Sequence, residues 1–458
     1  MATKHTLDMT CGSVLKKLLI FALPLCFSNL LQQLYHAADV IVVGRFAADG
    51  VKSLAAVGAT TSVTNLLLHL FIGISAGANV LCANRLGAKD EKGLNKLIHT
   101  AIPLAAVCGL FLCVFGFFMA PQVLKWMGCP SDVIKEASVY MQIIFLGQPA
   151  NIVYNFGSGI LRAHGDTKRP MYVLMVTGLV NVLLNLVFVI VFHLDSAGVA
   201  IATITANYLN AAAILYMLFR SDGDYRMKLS QLRLDHKEVV SIAKVGIPAG
   251  LNGIVYSISN VIIVSAVNSL GTIAVAATSA STSVSGIAHT FCTAISTACV
   301  SFSGQNFGAK NFKRIGKVYW CGISLGVIFM ALISLAFTLF PDFFLGLYTD
   351  DAEVIRVGFP KLMLNNWGFL FSVIADMSNC CLRGMKHASG PTLANMLSVC
   401  VPRLIWTLLV FPHLPQTLGM LCVAYPLSWG LCAVTMLVYF HVVKKYEMQK
   451  ALAKAEAV

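Results

Sequence analysis

The amino-acid sequence predicts an all-α integral membrane protein whose twelve transmembrane helices form two six-helix bundles, related by a pseudo-twofold axis along the membrane normal. Composition, the spacing of apolar segments and an internal repeat lead to this fold class. The 458 residues are 57% hydrophobic and 12% charged, and the mean hydropathy is +0.77. Soluble domains carry about 25% charged residues, and a soluble core could not bury this much apolar surface.

Apolar segments of helical length recur along the whole chain. At about 1.5 Å per residue, roughly 20 residues cross the hydrocarbon core of a bilayer. Longer segments fit tilted or kinked helices, and prolines inside them are tolerated because neighbouring groups re-satisfy the backbone. The predicted spans are 18–43, 53–83, 96–119, 133–161, 170–193, 196–219, 239–267, 272–303, 315–340, 354–382, 391–411 and 417–443.

The distribution of Lys and Arg orients these helices. With the N-terminus in the cytoplasm, 26 of the 33 Lys and Arg are assigned to the cytoplasmic side, and Arg403 alone is expected deep in the membrane. Such an excess is the usual orientation signal of membrane proteins. Both termini are therefore expected in the cytoplasm, and the net charge of +13 reflects topology and not nucleic-acid binding. The opposite side holds six cations: Arg45, Lys52, Lys125, Lys135, Arg356 and Lys361.

Three landmarks of the two halves repeat at a constant offset of 221 residues, and Pro24 and Pro248 agree after a three-residue slip. A repeat unit of six helices is even, so both copies enter the membrane from the same side, which predicts a parallel pseudo-twofold. The chain then divides into an N-terminal lobe (1–220), a basic cytoplasmic linker (221–238) and a C-terminal lobe (239–458), with substrate expected in the cleft between lobes. The matching segments are Gly87–Lys96 with Gly308–Lys317, Leu161-Arg162 with Leu382-Arg383, and Gly198 with Gly419.

The first predicted helix contains one carboxylate, Asp39, in an otherwise apolar run. An ionisable group in a membrane helix is costly in lipid, so it should face a polar interior. The alternative is a carboxylate near the headgroups that hydrates itself, since Gly44 follows closely. The polar residues of this helix recur at helical spacing and form one stripe: Asn29, Gln32, Tyr35, His36 and Asp39.

Oxygen-bearing side chains on two further helices are predicted at the depth of Asp39. Helix 5 carries Asn181 and Asn185, and helix 6 carries Thr203. A carboxylate with amide and hydroxyl oxygens suits a small hard cation such as Na⁺, while the same carboxylate could carry a proton instead. We therefore predict an ion site at these four residues. The alternative is that each Asn only forms hydrogen bonds between helices.

The C-terminal half has different intramembrane charges. Ile263 stands near the repeat equivalent of Asp39, so the ion site is not expected twice. A buried Arg403 needs a partner, and Asp376 on a neighbouring helix is the candidate, in either a structural or a functional pair. Residues that could line a substrate cleft are Gln32, Tyr35, His36, Asn155, Asp376 and Arg403, although Asn155 could equally tie helices together.

The sequence lacks the motifs of nucleotide-driven or enzymatic chemistry. No GxxxxGK[ST] motif occurs, and the 14 Cys contain no CxxC pair. No cofactor is expected beyond a coupling ion, H⁺ or Na⁺, so any transport would draw on an ion gradient. A membrane enzyme or a receptor would need a catalytic constellation or a sizeable soluble domain, and the loop from Ser221 to Lys237 is too short for one.

Several motifs together resemble the multidrug and toxic compound extrusion (MATE) family, most closely its bacterial DinF-like branch. The resemblance covers essentially the whole chain, with the motifs in the family's order. They are Ala22-Leu-Pro24, Gln32-Gln33-Leu-Tyr35, Asp39, Val43-Gly44-Arg45, Leu54-Ala-Ala-Val57-Gly58, Gly77-Ala-Asn79, Leu161-Arg162, Gly165-Asp-Thr-Lys168 and Gly304-Gln305-Asn306-Phe-Gly308-Ala-Lys310.

The resemblance implies two six-helix bundles that export bulky organic cations by alternating access, in exchange for Na⁺ or H⁺. Asp39 takes the place of the family's helix 1 acid, and Asn181, Asn185 and Thr203 fall where its partners lie. One departure is Asn185, where relatives often have Asp, which weakens a sodium site and favours protons. Helix 7 also lacks the Glu of another branch, and Asp376 lies nearer Arg383 than that branch's acid.

We therefore expect an antiporter of the bacterial inner membrane. Its expected partners are small organic cations and membrane lipid, without nucleic acid, and a monomer is expected. The rival hypothesis is a flippase for lipid-linked or other amphipathic metabolites. A flippase would need a strongly cationic cleft for pyrophosphate, whereas nearly all Lys and Arg lie outside the apolar segments.

Overall fold

A computed structural model describes residues 7–127, 129–221 and 225–456, except for the side chains at 51, 62, 63, 454 and 455. Over these ranges the chain is helical with short turns and contains no strand. Residues 222–224 of the predicted linker, and the ends of both predicted lobes at 1–6 and 457–458, lie outside the described ranges.

The helices of the first half coincide with the first six predicted spans. The fourth span is broken at Gly147 into two helices, because Pro149 starts a new helix there. A π-helical turn at Val187–Val191 extends the helix of the fifth span. The helices are α1 (Val14–Phe46), α2 (Gly50–Gly87), α3 (Glu91–Trp126), α4 (Ile134–Leu146), α5 (Gln148–Ala163), α6 (Lys168–Leu186) and α7 (Asp195–Phe219).

The second half repeats this order with more interruptions. Two π-helical turns, Met396–Cys400 and Trp406–Val410, and a 3-10 turn, Phe411–His413, divide the eleventh span. The helices are α8 (His236–Asn268), α9 (Thr272–Gly308), α10 (Phe312–Leu339), α11 (Pro341–Gly346), α12 (Ala352–Gly384), α13 (Ser389–Asn395), α14 (Val401–Ile405), α15 (Leu418–Cys422) and α16 (Ala424–Glu456).

All twelve predicted spans are helical in the structure. Within the described ranges, ten helical stretches are long and apolar enough to cross a membrane. The other two predicted spans are the broken pair α4 and α5, and α12, which is 33 residues long but more polar. Interruptions of this kind are tolerated in membrane proteins where the backbone is buried in protein.

The duplication extends to the turns at the helix ends. Lys89 and Lys310, after α2 and α9, have φ angles of 55° and 56°, and Gly165 and Lys386, after α5 and α12, have 89° and 67°. A left-handed conformation is unfavourable for a residue with a Cβ. Its recurrence at the same offset of 221 residues therefore indicates that one local fold is used twice.

The chain forms two compact units. The first consists mainly of Leu23–Gly250, and the second of Met9–Ala22 together with Leu251–Val458. The start of α8 thus belongs to the first unit and the start of α1 to the second. The division into two lobes, 1–220 and 239–458, was predicted from the repeat and stays a prediction.

In the first unit, α2 and α8 approach closely at small residues. Gly73 and Gly77 of α2 face Gly246 and Gly250 of α8, and a Cβ added at Gly250 would lie 2.7 Å from the Cα and O atoms of Leu70. Small residues allow such backbone contact between membrane helices. The glycines are therefore required by packing here and not by turn geometry.

Gly250→Val is expected to destabilise the first unit, because the added side chain would overlap the backbone of α2. Overpacking costs about 1–3 kcal/mol, so a fall in melting temperature of roughly 5 °C is expected, measured by thermal scanning of the purified protein in detergent. Gly58→Val is the matched control, since a Cβ at Gly58 has no atom within 4 Å. Equal falls in the two variants would contradict the contact.

Candidate functional site

Asp39 lies near the end of α1 and is 8% exposed. The Nδ2 atom of Asn185 donates a hydrogen bond of 2.5 Å to its Oδ1 atom, and the hydroxyl of Thr203 donates one of 3.4 Å to its Oδ2 atom. Among the described residues, no Lys, Arg or His forms an ion pair with this carboxylate. Two neutral dipoles therefore stabilise its charge.

Asn181 connects the two donors. Its Nδ2 atom donates to the hydroxyl of Thr203 at 3.4 Å, and its Oδ1 atom accepts from Asn185 at 3.4 Å. Asn181 and Asn185 are 4% and 0% exposed, one helical turn apart on α6. The structure thus brings the four predicted ion-site residues, from α1, α6 and α7, into one hydrogen-bonded cluster inside the first unit.

The cluster has features of a site and not only of a helix contact. The Oδ1 atom of Asn185 is buried without a hydrogen-bond partner among the described residues. A buried acceptor without a partner is costly, and such groups often mark functional positions. The π-helical turn Val187–Val191 follows directly, and π-helical turns are frequent at functional sites.

Tyr140 of α4 is a neighbour that sequence reasoning missed. It interacts electrostatically with Asp39 and packs against an apolar cluster that includes Val43 and Val189. A single tyrosine in an apolar helix does not show a periodic pattern that would predict a site. The repeat marks the position, because it pairs Tyr140 with a charged residue, Lys361.

The predicted cleft residues of α1 and α5 do not join this cluster. Gln32 and His36 are exposed on α1. The Tyr35 hydroxyl donates to the carbonyl of Met175 at 3.3 Å. Asn155 donates to the carbonyl and side-chain oxygens of Asn151, at 2.9 and 3.0 Å, so it is bonded along its own helix.

The expected partnership of Arg403 with Asp376 is wrong. Arg403 is 1% exposed, and its guanidinium lies 4.7 Å from the ring of Tyr425. Neutral oxygens satisfy the donors at lower desolvation cost than a buried carboxylate would, and aromatic faces attract the cation. The guanidinium donates to the side-chain oxygens of Ser428, Ser259 and Asn260 at 3.1, 3.2 and 3.0 Å.

Asp376 has a separate environment in the second unit. Ser372 donates to its Oδ2 atom at 3.3 Å, and it interacts electrostatically with His289 and Arg383. It is half-buried and lies on α12. The carboxylate therefore belongs to a cluster distinct from the hydrogen-bonding shell of Arg403.

The second unit has buried cations in place of a carboxylate like Asp39. Ile263, near the repeat equivalent of Asp39, lies in an apolar core. Lys361, which the sequence placed among the outside cations, is instead 3% exposed inside α12. Its ammonium donates to the Thr278 carbonyl at 3.2 Å and the Thr282 hydroxyl at 2.9 Å.

These features define the class of protein: a polytopic helical membrane protein built by duplication. Comparison with known proteins gives the family. The MatE family model matches residues 24–187 and 248–408, once in each half. The chain belongs to the MATE family of membrane transporters, which confirms the resemblance seen in its motifs, the twelve-helix fold class and the expectation of a transporter and not an enzyme.

Individual relatives cover nearly the whole chain. The probable multidrug resistance protein YoeA of Bacillus subtilis is 27% identical over 84% of this chain and 85% of its own. YpnP of the same organism, also a probable multidrug resistance protein, is 29% identical over 89% and 91%. A multidrug resistance MATE family transporter, solved in an outward-facing conformation, has a TM-score of 0.90 at 20% identity, covering 98% and 100%.

Double-mutant cycles should separate the partners of Arg403. We expect a coupling of about 1–2 kcal/mol between Arg403→Met and Tyr425→Leu, because the ring lies against the cation, and under about 0.5 kcal/mol between Arg403→Met and Asp376→Asn. Stabilities of the single and double variants would be measured in one detergent. A larger coupling with Asp376 would instead restore the predicted ion pair.

Proposed function

We propose that this protein is a secondary active multidrug exporter, which expels amphipathic organic cations in exchange for H⁺ or Na⁺ by alternating access. The observation that carries the proposal is the desolvated Asp39, held by Asn185 and Thr203 inside a helical unit. An intramembrane carboxylate without a cationic partner suits the binding and release of a cation. The multidrug resistance names of the relatives support the substrate class.

The proposed location is a bacterial inner membrane with both termini in the cytoplasm. The bacterial relatives support the first part. The excess of Lys and Arg in the loops on the side of the termini supports the second. In that orientation the Asp39 end of α1 lies toward the outside, so the coupling ion would enter from there.

The hydrogen bonds of Asp39 suggest how ion binding could move a helix. A charged carboxylate accepts from Asn185 and Thr203, whereas a protonated one has a donor of its own and needs an acceptor. The buried Oδ1 atom of Asn185 is such an acceptor if the amide turns. Protonation would then change how α1 is bonded to α6, and thereby couple the ion to the packing of α1.

Protons fit this cluster better than Na⁺. Both oxygens of Asp39 already accept hydrogen bonds, and the cluster contains one formal charge. Hard cations take several oxygen ligands at once, so Na⁺ would have to displace both donors and reorient both amides. Binding of a proton to Asp39 requires only that the Asn185 amide turns.

The flippase alternative has less support. Arg403 would be its anion-binding group, but that guanidinium is surrounded by Ser259, Asn260, Ser428 and aromatic rings. Lys361 is likewise occupied by Thr278 and Thr282. Neither cation is positioned as an open pyrophosphate site.

The proposal predicts ethidium uptake into proteoliposomes that have an acidic lumen, because luminal protons leave in exchange for the cation. The same vesicles loaded with Na⁺, without a pH difference, are expected to show much less uptake. Uptake driven by Na⁺ alone would mean that the Asp39 cluster holds Na⁺. No uptake under either gradient would make the flippase the better hypothesis.

The Asp39→Asn variant serves as the mechanistic control in this assay. It should fold, because an amide can still exchange hydrogen bonds with Asn185 and Thr203, but proton-driven uptake should fall to the level of protein-free liposomes. Asp342→Asn removes an exposed carboxylate and should leave uptake unchanged. Accumulation of ethidium against its gradient by Asp39→Asn would remove Asp39 from the mechanism.

Asn185→Asp should create a Na⁺ site. The substitution places a second carboxylate against Asp39, and two adjacent carboxylates favour a bound cation or a shared proton. A tenfold excess of Na⁺ over its Kd stabilises by about 1.4 kcal/mol, so the melting temperature of this variant should be roughly 3 °C or more higher in NaCl than in KCl. Asn181→Asp, one turn away, is the control with a smaller shift. An equal shift in the unmodified protein would contradict proton coupling.

A further inference from the structure

The second unit contains a cationic groove at the start of α10, on the side that carries the basic loops. This α10 groove has a volume of about 530 Å³ and is lined by Ser13, Leu15, Lys313, Lys317, Trp320 and Lys444 among others. No Asp or Glu of the described residues lines it. A cavity of this size can hold a small molecule or the headgroup of a lipid.

Specific contacts within the chain shape this groove, so its lysines are not a chance surface cluster. Arg314 uses its guanidinium to hold the start of the chain as one wall, donating to the carbonyls of Met9, Cys11 and Gly12 at 2.9, 2.6 and 2.8 Å. Lys444 of α16 lies across Gly316, where a Cβ would come within 2.5 Å of its ammonium. Thus a glycine in α10 makes room for the cation.

Three lysines of the groove have no partner among the described residues. Lys313, Lys317 and Lys444 form no ion pair and no side-chain hydrogen bond within those ranges. The nearest acid on α16, Glu447, is bonded to His387 at 3.1 Å. Trp320 is 52% exposed beside these ammonium groups.

In the other copy of the repeat, the lysine equivalent to Lys317 is already paired with an acid. The α3 groove is lined by Glu91, Lys92, Lys96, His99, Gln231 and Arg233 among others. Asp235 forms an ion pair with Lys96 at 2.9 Å, and the hydrogen bond from Lys96 holds the pKa of the Asp235 carboxyl below its ordinary value. His99 is bound to the linker, since its Nε2 atom accepts from the backbone N–H of Lys228 at 2.9 Å.

The two grooves therefore differ in what balances their charge. The linker supplies an acid and a tether to the α3 groove. In the α10 groove Trp320 replaces the histidine, and no acid of the described residues pairs with Lys317. Exposed tryptophan is typical of the membrane–water interface, and basic pockets on the cytoplasmic side bind anionic lipid headgroups. The corresponding positions are Lys92 with Lys313, Lys96 with Lys317, and His99 with Trp320.

We propose that the α10 groove binds the phosphate headgroup of an anionic phospholipid of the adjoining leaflet. Lys313, Lys317 and Lys444 neutralise the phosphate, and Trp320 and Leu15, which is 46% exposed, contact the glycerol and the upper acyl chains. A soluble phosphate would use the lysines but not these two apolar side chains. This site is independent of the ion cluster and of the proposed transport.

Native mass spectrometry of the detergent-purified full chain would test the proposal, with added phosphatidylglycerol, phosphatidylcholine or inorganic phosphate. Lys313→Gln with Lys317→Gln should weaken phosphatidylglycerol binding by roughly fivefold per lysine. The repeat-matched pair, Lys92→Gln with Lys96→Gln, removes the same charge and should leave binding within about twofold. Equal losses in both pairs, or no loss in either, would overturn the site.

Quenching of tryptophan fluorescence by brominated lipid would test whether the lipid lies at the groove. Brominated phosphatidylglycerol should quench tryptophan emission, and Trp320→Phe should remove most of that quenching while brominated phosphatidylcholine has little effect. Quenching that is unchanged in Trp320→Phe would overturn the assignment. Displacement of the lipid by inorganic phosphate at equal concentration would also overturn it, in favour of a soluble anion site.

Discussion

The absence of water in the bilayer core is the constraint on which the rest of this structure depends. Each backbone N–H and C=O group in that region must find a partner inside the chain, which makes helices the only available element. Each polar side chain is under the same requirement. Asp39 meets it with an amide and a hydroxyl instead of a cation, and its charge is therefore stabilised but not cancelled. That balance is what the coupling role proposed for Asp39 requires, because a fixed ion pair would leave the carboxylate unable to exchange its cation.

The second unit meets the same requirement with the charge reversed. Arg403 and Lys361 are buried and rely on hydroxyl, amide and carbonyl oxygens. Ile263 stands near the repeat equivalent of Asp39, and at the offset of 221 residues Lys361 corresponds to Tyr140. Duplication thus preserved the backbone, including the left-handed turns at Lys89 and Lys310, while the chemistry inside each copy diverged.

Divergence is equally visible at the helix starts on the basic side. There the helices contact water and lipid headgroups, so an unpaired charge is solvated and avoids the desolvation cost that it would have in hydrocarbon. In the first unit the linker neutralises Lys96 through Asp235. In the second unit the equivalent Lys317 is left to the surroundings. The linker exists once in the chain, so only one of the two copies could use it.

The sequence by itself determined the twelve spans, the approximate position of each, the repeat and the family, because these depend on local apolar length and on motifs that are contiguous in the chain. It also brought Asp39, Asn181, Asn185 and Thr203 into one hypothesis, since helical spacing and depth can be counted along each span. Only the tertiary structure decided which polar groups meet. Arg403 contacts neutral side chains and not Asp376, and Lys361 is buried and not exposed outside. Contacts of this kind depend on the rotation and crossing of helices that lie far apart in sequence.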